Sequence, residues 1–215
     1  MIEFEHVSFS YGDRVVFSDF NLTINEGDFV FLLGPNGCGK TTLLKLIDGL
    51  VRPSHGHLKF RGEKYRYERS FLRTLRENVG FVFQNPDVQI FAPTVFQELS
   101  FGLMSKKLKK EEIKSITNIF LKEWNLEQYA LYNPFKLSYG YKKLLTIASV
   151  LITSPKMILL DEPTNYLDEQ NLEFLIEKLF ELRKIGLTVV VATHDYTFLN
   201  RFSEMSKIVY ISKRV

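Results

Sequence analysis

Two hydrophobic periods take turns along the chain. Ile2-Glu3-Phe4-Glu5-His6-Val7-Ser8-Phe9 alternates apolar and polar positions, as a half-buried antiparallel strand does, and Tyr11-Gly12-Asp13 then reads as a turn. Four short runs are apolar almost throughout: Asp28–Leu33, Val79–Phe83, Met157–Leu160 and Thr188–Thr193. Each has the length and composition of a buried strand. Leu22–Ile24 and His57–Arg61 read as further strands, Asn25-Glu26-Gly27 as a hairpin signal, and Ile208–Ile211 as the final strand. Helical spacing takes over elsewhere. Leu43, Leu44, Leu46, Ile47 and Leu50 recur on one face, and so do Ile113, Ile116, Ile119, Phe120 and Trp124 within Glu111–Trp124. Leu144, Leu145, Ile147, Ala148, Leu151 and Ile152 mark a helix over Ser138–Thr153. Leu172, Leu175, Ile176, Leu179 and Leu182 mark another over Asp168–Arg183.

Strands alternating with helices predict an α/β fold with a mostly parallel sheet that binds ligands at the carboxyl ends of its strands. The early alternating strands add an antiparallel β part. From Asn85 to about Thr153 no strand candidate occurs, so residues 85–153 read as a helical subdomain inserted into a core made of 1–84 and 154–215. The 215 residues suit a single domain of this kind. An apolar share of 45% is ample for a core, and the net charge of +3 makes no demand for nucleic acid or anionic lipid. Lys106-Lys107 and Lys109-Lys110 form a small basic cluster that reads as a solvated helix start. A single cysteine excludes an internal disulfide and suits a reducing compartment. No signal peptide and no apolar run near membrane-spanning length is present, so the chain is not expected to enter or cross a membrane by itself.

The candidate chemistry sits where strands end. Gly34-Pro35-Asn36-Gly37-Cys38-Gly39-Lys40-Thr41-Thr42 follows a buried strand and opens a helix, the context a phosphate-binding loop requires. Its glycines allow backbone N–H groups to turn around an anion, and the helix N-terminus adds partial positive charge. Lys40 can reach the outer phosphates of a nucleotide triphosphate, and the Thr41 hydroxyl can hold a magnesium ion. Asp161 closes an apolar strand, the place for a carboxylate that holds magnesium. Glu162 beside it is the candidate to orient or deprotonate an attacking water. Gln84 can ligand the metal or the water without adding charge, and His194 can hydrogen-bond a γ-phosphate. Cys38 stands in the loop where any small residue would fit, and it reads as packing rather than as a redox switch.

These motifs together resemble the nucleotide-binding subunit of ABC ATPases over essentially the whole chain. Gly34–Thr42 is similar to the Walker A loop, Met157–Glu162 to the Walker B strand with its catalytic glutamate, and Gln84 to the Q-loop. His194 matches the switch histidine, Asn165-Tyr166-Leu167-Asp168 the D-loop, and Tyr11 the aromatic that stacks on adenine. Leu137-Ser138-Tyr139-Gly140-Tyr141 resembles the family signature, usually Leu-Ser-Gly-Gly-Gln, in which Ser138 and Gly140 would face the γ-phosphate on an opposing subunit. Tyr139 and Tyr141 depart from that pattern, and Asn165 and Tyr166 stand where small residues are common. The resemblance implies an ATPase that uses ATP and Mg2+, whose nucleotides are sandwiched between two subunits, in a homodimer or a heterodimer. Gly80–Val95 looks like the Q-loop region of energy-coupling-factor and cobalt or nickel importers, where a groove accepts a helix of a membrane subunit. Phe91, Pro93 and Val95 are the expected apolar contacts. The implied location is cytoplasmic, on the inner face of the membrane. The ATPase subunit of an exporter, and an ABC ATPase acting on ribosomes, remain alternatives. The chain runs only briefly past its last strand, which predicts a dimer that is weak without ATP or membrane subunits.

Overall fold

The computed structural model describes residues 1–202 and 205–212. The chain opens with β1 (Ile2–Tyr11) and β2 (Arg14–Ile24), antiparallel partners joined at Gly12 and Asp13. In β1 Ile2, Phe4, Val7 and Phe9 are buried, so the alternating pattern does place one face inward. β2 is longer than the Leu22–Ile24 fragment that its sequence advertises. The turn at Asn25-Glu26-Gly27 does not close a hairpin. It hands the chain to β3 (Phe29–Leu33), which lies in a different, parallel sheet. Asn25 N–H bonds Asp28 Oδ2 at 2.8 Å, so a local side-chain bond shapes the turn while burial decides its destination.

After β3 the phosphate loop leads into α1 (Lys40–Ile47). β4 (His55–Phe60) returns to the free edge of β1, and the short β5 (Glu63–Lys64) completes an antiparallel sheet of order β2-β1-β4-β5. The strongly polar stretch that follows holds a helix without a long apolar period, α2 (Arg69–Asn78). It buries only Phe71 and Leu75. Then come β6 (Val79–Val82), α3 (Val95–Phe101), α4 (Lys110–Glu123), α5 (Tyr139–Leu151) and β7 (Met157–Asp161). The chain closes with α6 (Glu169–Lys184), β8 (Thr188–Thr193), the short α7 (Tyr196–Asn200) and β9 (Lys207–Tyr210). Residues 85–153 contain no strand.

The second sheet is parallel throughout, in the order β6-β7-β8-β3-β9. β3, β7 and β8 are buried at every position, and their residues divide between two cores. Phe29, Phe31, Leu33, Ile158, Leu160, Val189 and Val191 face the helical side with α3, α5 and α6. Val30, Leu32, Met157, Leu159, Val190 and Ala192 face α1 and the antiparallel sheet. A middle layer covered on both faces explains why these strands read as continuous apolar runs. Each fully buried aliphatic side chain contributes roughly 1.5–3 kcal/mol of transfer free energy, so this layer dominates the stability of the fold.

One predicted face needs correction. Ile119 of α4 is 52% exposed, and the covered stripe is instead Thr117 and Leu121, flanked by the half-buried Ile113 and Phe120. A threonine can replace an isoleucine in that stripe because its hydroxyl donates to the Ile113 carbonyl at 2.7 Å, leaving no polar atom unpaired.

Candidate functional site

Strand order brings the chemistry together. β6, β7, β8 and β3 are consecutive neighbours and parallel, so their carboxyl ends lie along one edge of the sheet. Gln84, Asp161-Glu162, His194 and the phosphate loop all leave from that edge. All but Asp161, which lies behind the lining on Thr41, border a cleft of about 710 Å³. From the expected set, Tyr11, Asn36, Gly37, Gly39, Lys40, Thr41, Thr42, Gln84, Glu162 and His194 line it. Arg14, Val16, Asn165 and Tyr166 complete the lining.

Within the loop, Lys40 Nζ donates to the Gly34 carbonyl at 2.7 Å and lies 3.6 Å from Glu162 Oε1. Thr41 Oγ1 donates to both oxygens of Asp161, at 2.9 and 3.1 Å. This bond closes the 120-residue gap between the loop and β7 by crossing the end of β8, the strand between β7 and β3. Asp161 therefore stands directly behind Thr41. Burial raises its pKa above the usual carboxylate value, and the neighbouring Glu162 adds to that. The Thr41 hydrogen bond and the Lys143 and Lys40 charges oppose the shift.

Glu162 is almost fully buried and has a positive φ of 44°, uncommon for a non-glycine residue. Its N–H bonds the Ala192 carbonyl at 2.8 Å. Its carboxylate accepts from Thr193 Oγ1 at 3.3 Å, and His194 Nδ1 lies 2.9 Å from both of its oxygens. The half-exposed His194 thus extends from the buried carboxylate into the cleft.

Cys38 is not among the lining residues. Its N–H donates to the Pro35 carbonyl at 3.2 Å, and its thiol is buried against Gly34. Ser138, Gly140 and Asp168 also lie outside the cleft lining. Ser138 caps α5, its hydroxyl accepting from Tyr141 N–H at 3.4 Å. Asp168 caps α6, accepting from Asn171 N–H at 2.8 Å and Asn171 Nδ2 at 3.0 Å. Asn171 in turn packs beneath Gly140, so D-loop and signature meet within one chain. The departures from the usual signature have partners: Tyr139 packs edge-on against Tyr166 with centroids 4.9 Å apart, and Tyr141 against Tyr129 at 4.9 Å.

Besides Val16, Arg14 is the lining residue that reading the sequence missed. Its guanidinium donates to the Gly37 carbonyl at 2.7 Å, which sets a fixed cation beside the phosphate loop. A basic residue in a β-turn, three positions after the adenine-stacking candidate Tyr11, was the available signal.

The segment after β6 is held from inside. Gln89 Oε1 accepts from Phe83 N–H at 3.0 Å and Gln89 Nε2 donates to the Phe81 carbonyl at 3.1 Å. The buried Glu98 accepts from Phe91 N–H at 3.0 Å and Ala92 N–H at 2.8 Å. Val88, Phe91 and Pro93 are exposed on this frame. Val95, expected there as an apolar contact, is 0% exposed because it opens α3 and faces the helical core.

This is the arrangement of an ABC ATPase, and similarity to known proteins agrees. The chain matches the ABC transporter family over residues 17–165 and belongs to it, as an ATP-binding subunit. It is 36% identical to the energy-coupling factor transporter ATP-binding protein EcfA of Methanocaldococcus jannaschii, over 99% of this chain and 77% of that protein. With EcfA of Methanococcus maripaludis it shares 39% identity over 91% of this chain and 70% of that protein. Among solved structures it superposes on CbiO1 of Clostridium perfringens, part of the CbiONQ transporter complex, with a TM-score of 0.80 and 36% identity, covering 90% of this chain and 78% of that one. An ATP-binding cassette solved as a dimer with ADP and Pi gives a TM-score of 0.87 at 28% identity, covering 100% of this chain and 97% of that one.

Proposed function

We propose that the chain hydrolyses ATP to drive an importer of the energy-coupling-factor or cobalt/nickel type, as one of two ATPase subunits beneath a membrane component. The observation that carries the reading is the convergence of Lys40, Thr41, Asp161, Glu162 and His194 on one sheet edge beside the glycine-rich loop. In its roles, the loop and Lys40 cradle the phosphates, and Tyr11 stacks on the adenine. Glu162 orients the attacking water while His194 reaches the γ-phosphate. Thr41, Gln84 and Asp161 are hard oxygen donors of the kind magnesium takes when phosphates and water supply its remaining ligands. A divalent cation beside Asp161 would also offset the burial that raises its pKa.

Ser138, Gly140 and Asp168 lie outside this chain's own cleft lining, which supports their acting on the nucleotide of a second ABC subunit. The framed segment from Gln84 to Val95, with Val88, Phe91 and Pro93 outward, supports docking of a membrane subunit there. The location is then the inner face of the membrane. Among the described residues no helix is long and apolar enough to cross a membrane.

The test compares the wild-type chain with Glu162→Gln by sedimentation in Mg-ATP. The variant should lose at least ~100-fold in turnover, the scale of a lost general base, and accumulate as an ATP-bound dimer while the wild type returns to monomer. If both variant and wild type bind ATP and neither dimerises, a different ABC subunit is the partner. No binding of ATP at all would overturn the ATPase reading.

A further inference from the structure

Lys143 is a buried cation that the roles above leave unused. It lies on α5, one turn beyond the signature residues, and its side chain is 0% exposed. An ammonium is costly to bury unless it is paired and hydrogen-bonded. Its direct partners are backbone carbonyls: Nζ donates to Gln84 O at 2.5 Å and to Phe83 O at 3.2 Å. Asp161 and Glu162 favour the charge through space, although burial is the stronger influence and lowers its pKa to about 8. Two neighbours on the same helix grip the same segment. The Tyr139 hydroxyl approaches the Gln84 carbonyl at 3.5 Å, and Lys142 Nζ pairs with Asp87 Oδ1 at 2.8 Å.

The position of these acceptors matters. Phe83 and Gln84 are where the chain leaves β6, and Gln84 lines the cleft. Gln89 holds the Phe83 N–H from the other side. The two peptides flanking Gln84 are thus held by a cation from the signature helix, and the peptide just before them by a side chain of their own loop. A backbone carbonyl bonded to an ammonium resists rotation more than one bonded to a neutral donor, because charge-assisted bonds are roughly twice as strong.

We propose that Lys143 is a positioning residue for Gln84: it fixes the peptide from which Gln84 reaches the cleft and makes the signature helix move with it. This inference rests on the ATPase reading of the cleft. Displacement of Gln84 by nucleotide then shifts the N-terminal turns of α5, where Ser138 and Gly140 serve the neighbouring subunit's nucleotide.

The test is Lys143→Met, which is one atom shorter but of similar volume and removes the donors. Fluorescent-ATP affinity should stay within about twofold, and KM within about threefold. kcat per folded molecule should fall about tenfold, a modest misplacement of a catalytic-site group. Lys143→Arg, which retains charged donors, should restore at least about a third of the wild-type kcat. Turnover of the folded Met variant within twofold of wild type would overturn the proposal, and so would failure of arginine to rescue. If the Met variant does not fold, Lys143→Gln is measured in the same way. A measurement on the wild type needs no variant: hydrogen exchange at 84–87 and 138–143, at dilutions where the chain is monomeric. Mg-ATP should change both segments together, and a change confined to 84–87 would overturn the coupling. Loss of all turnover in the wild type would instead overturn the ATPase reading, and the exchange experiment would still decide the role of Lys143.

Discussion

The phosphate loop and the signature segment are both glycine-bearing turns that end on a helix N-terminus, yet they need glycine for different reasons. In the loop, Gly34 and Gly39 have φ of 152° and 115°, a region costly to any side chain. A Cβ on Gly34 would also lie 2.1 Å from the Ile211 carbonyl oxygen and 2.7 Å from Cys38 Sγ. In the signature, Gly140 sits within the first turn of α5 with ordinary helical geometry. Its Cβ would meet Asn171 Nδ2 at 3.0 Å, a tight contact with a side chain that can yield. The loop is shaped by its own backbone and serves its own cleft. The signature is shaped by neighbours, and its serine and glycine lie outside that cleft. One region lines the chain's own cleft, and the other, under the proposed function, acts on the nucleotide of a second subunit.

That contrast breaks most severely at Gly34. Gly34→Ala should weaken ATP binding by at least ~100-fold, about 2.7 kcal/mol at 1.36 kcal/mol per tenfold, because backbone conformation and the Ile211 contact are both violated. Equilibrium binding to the monomer measures it. Gly140→Ala should leave that binding within about twofold and lower kcat about tenfold, the loss expected when a group is displaced by a fraction of an ångström. Equal losses of binding in the two variants would erase the distinction.

Arg14→Ala sharpens the boundary of the cleft-lining region. Removing a charged donor hydrogen-bonded to Gly37 should raise KM for ATP roughly three- to tenfold with kcat nearly unchanged, in keeping with ~1 kcal/mol for such a bond. Steady-state kinetics would separate this from a catalytic role, which would lower kcat.

The smallest effect concerns the far end of the loop's helix. Asp48, at the C-terminus of α1, is buried 3.6 Å from Arg76, and burial raises its pKa from 3.8 to about 6 despite that cation. The folded state therefore holds the Asp48 proton more tightly than the unfolded state. Its contribution to stability is fully present below about pH 4 and is lost as pH rises through 6. Asp48→Asn should raise stability by ~1 kcal/mol at pH 7.5, less than the full shift because the amide must also be buried. The gain should vanish near pH 4. Thermal melts at the two pH values measure it, and a gain that persisted at pH 4 would remove protonation as its cause.

Much of the site was legible along the chain. Asp161-Glu162 and His194 announce themselves because each directly follows a run of apolar residues, and the loop because its glycines sit between a strand and a helix. These signals are local, set by side-chain period and by the conformations that single residues allow. The tilt of α4 toward Thr117 rather than Ile119, and the helix at Arg69–Asn78, were not legible. In both, long-range packing outweighs a weak local pattern.

By itself, then, the sequence determined the buried strands, the glycine conformations of the phosphate loop and the polar residues waiting at strand ends. Tertiary structure decided what those residues meet. The order β6-β7-β8-β3 joins Thr41 to Asp161 across 120 residues, and the β1–β2 turn carries Arg14 to Gly37. It also turned Asn25-Glu26-Gly27 from a hairpin into a passage between sheets, buried Val95, and set the Lys143 ammonium on the Gln84 carbonyl. The physical reason is range. Periodicity and turn chemistry act over a few residues, whereas strand order and buried pairing follow from covering both faces of one sheet at once.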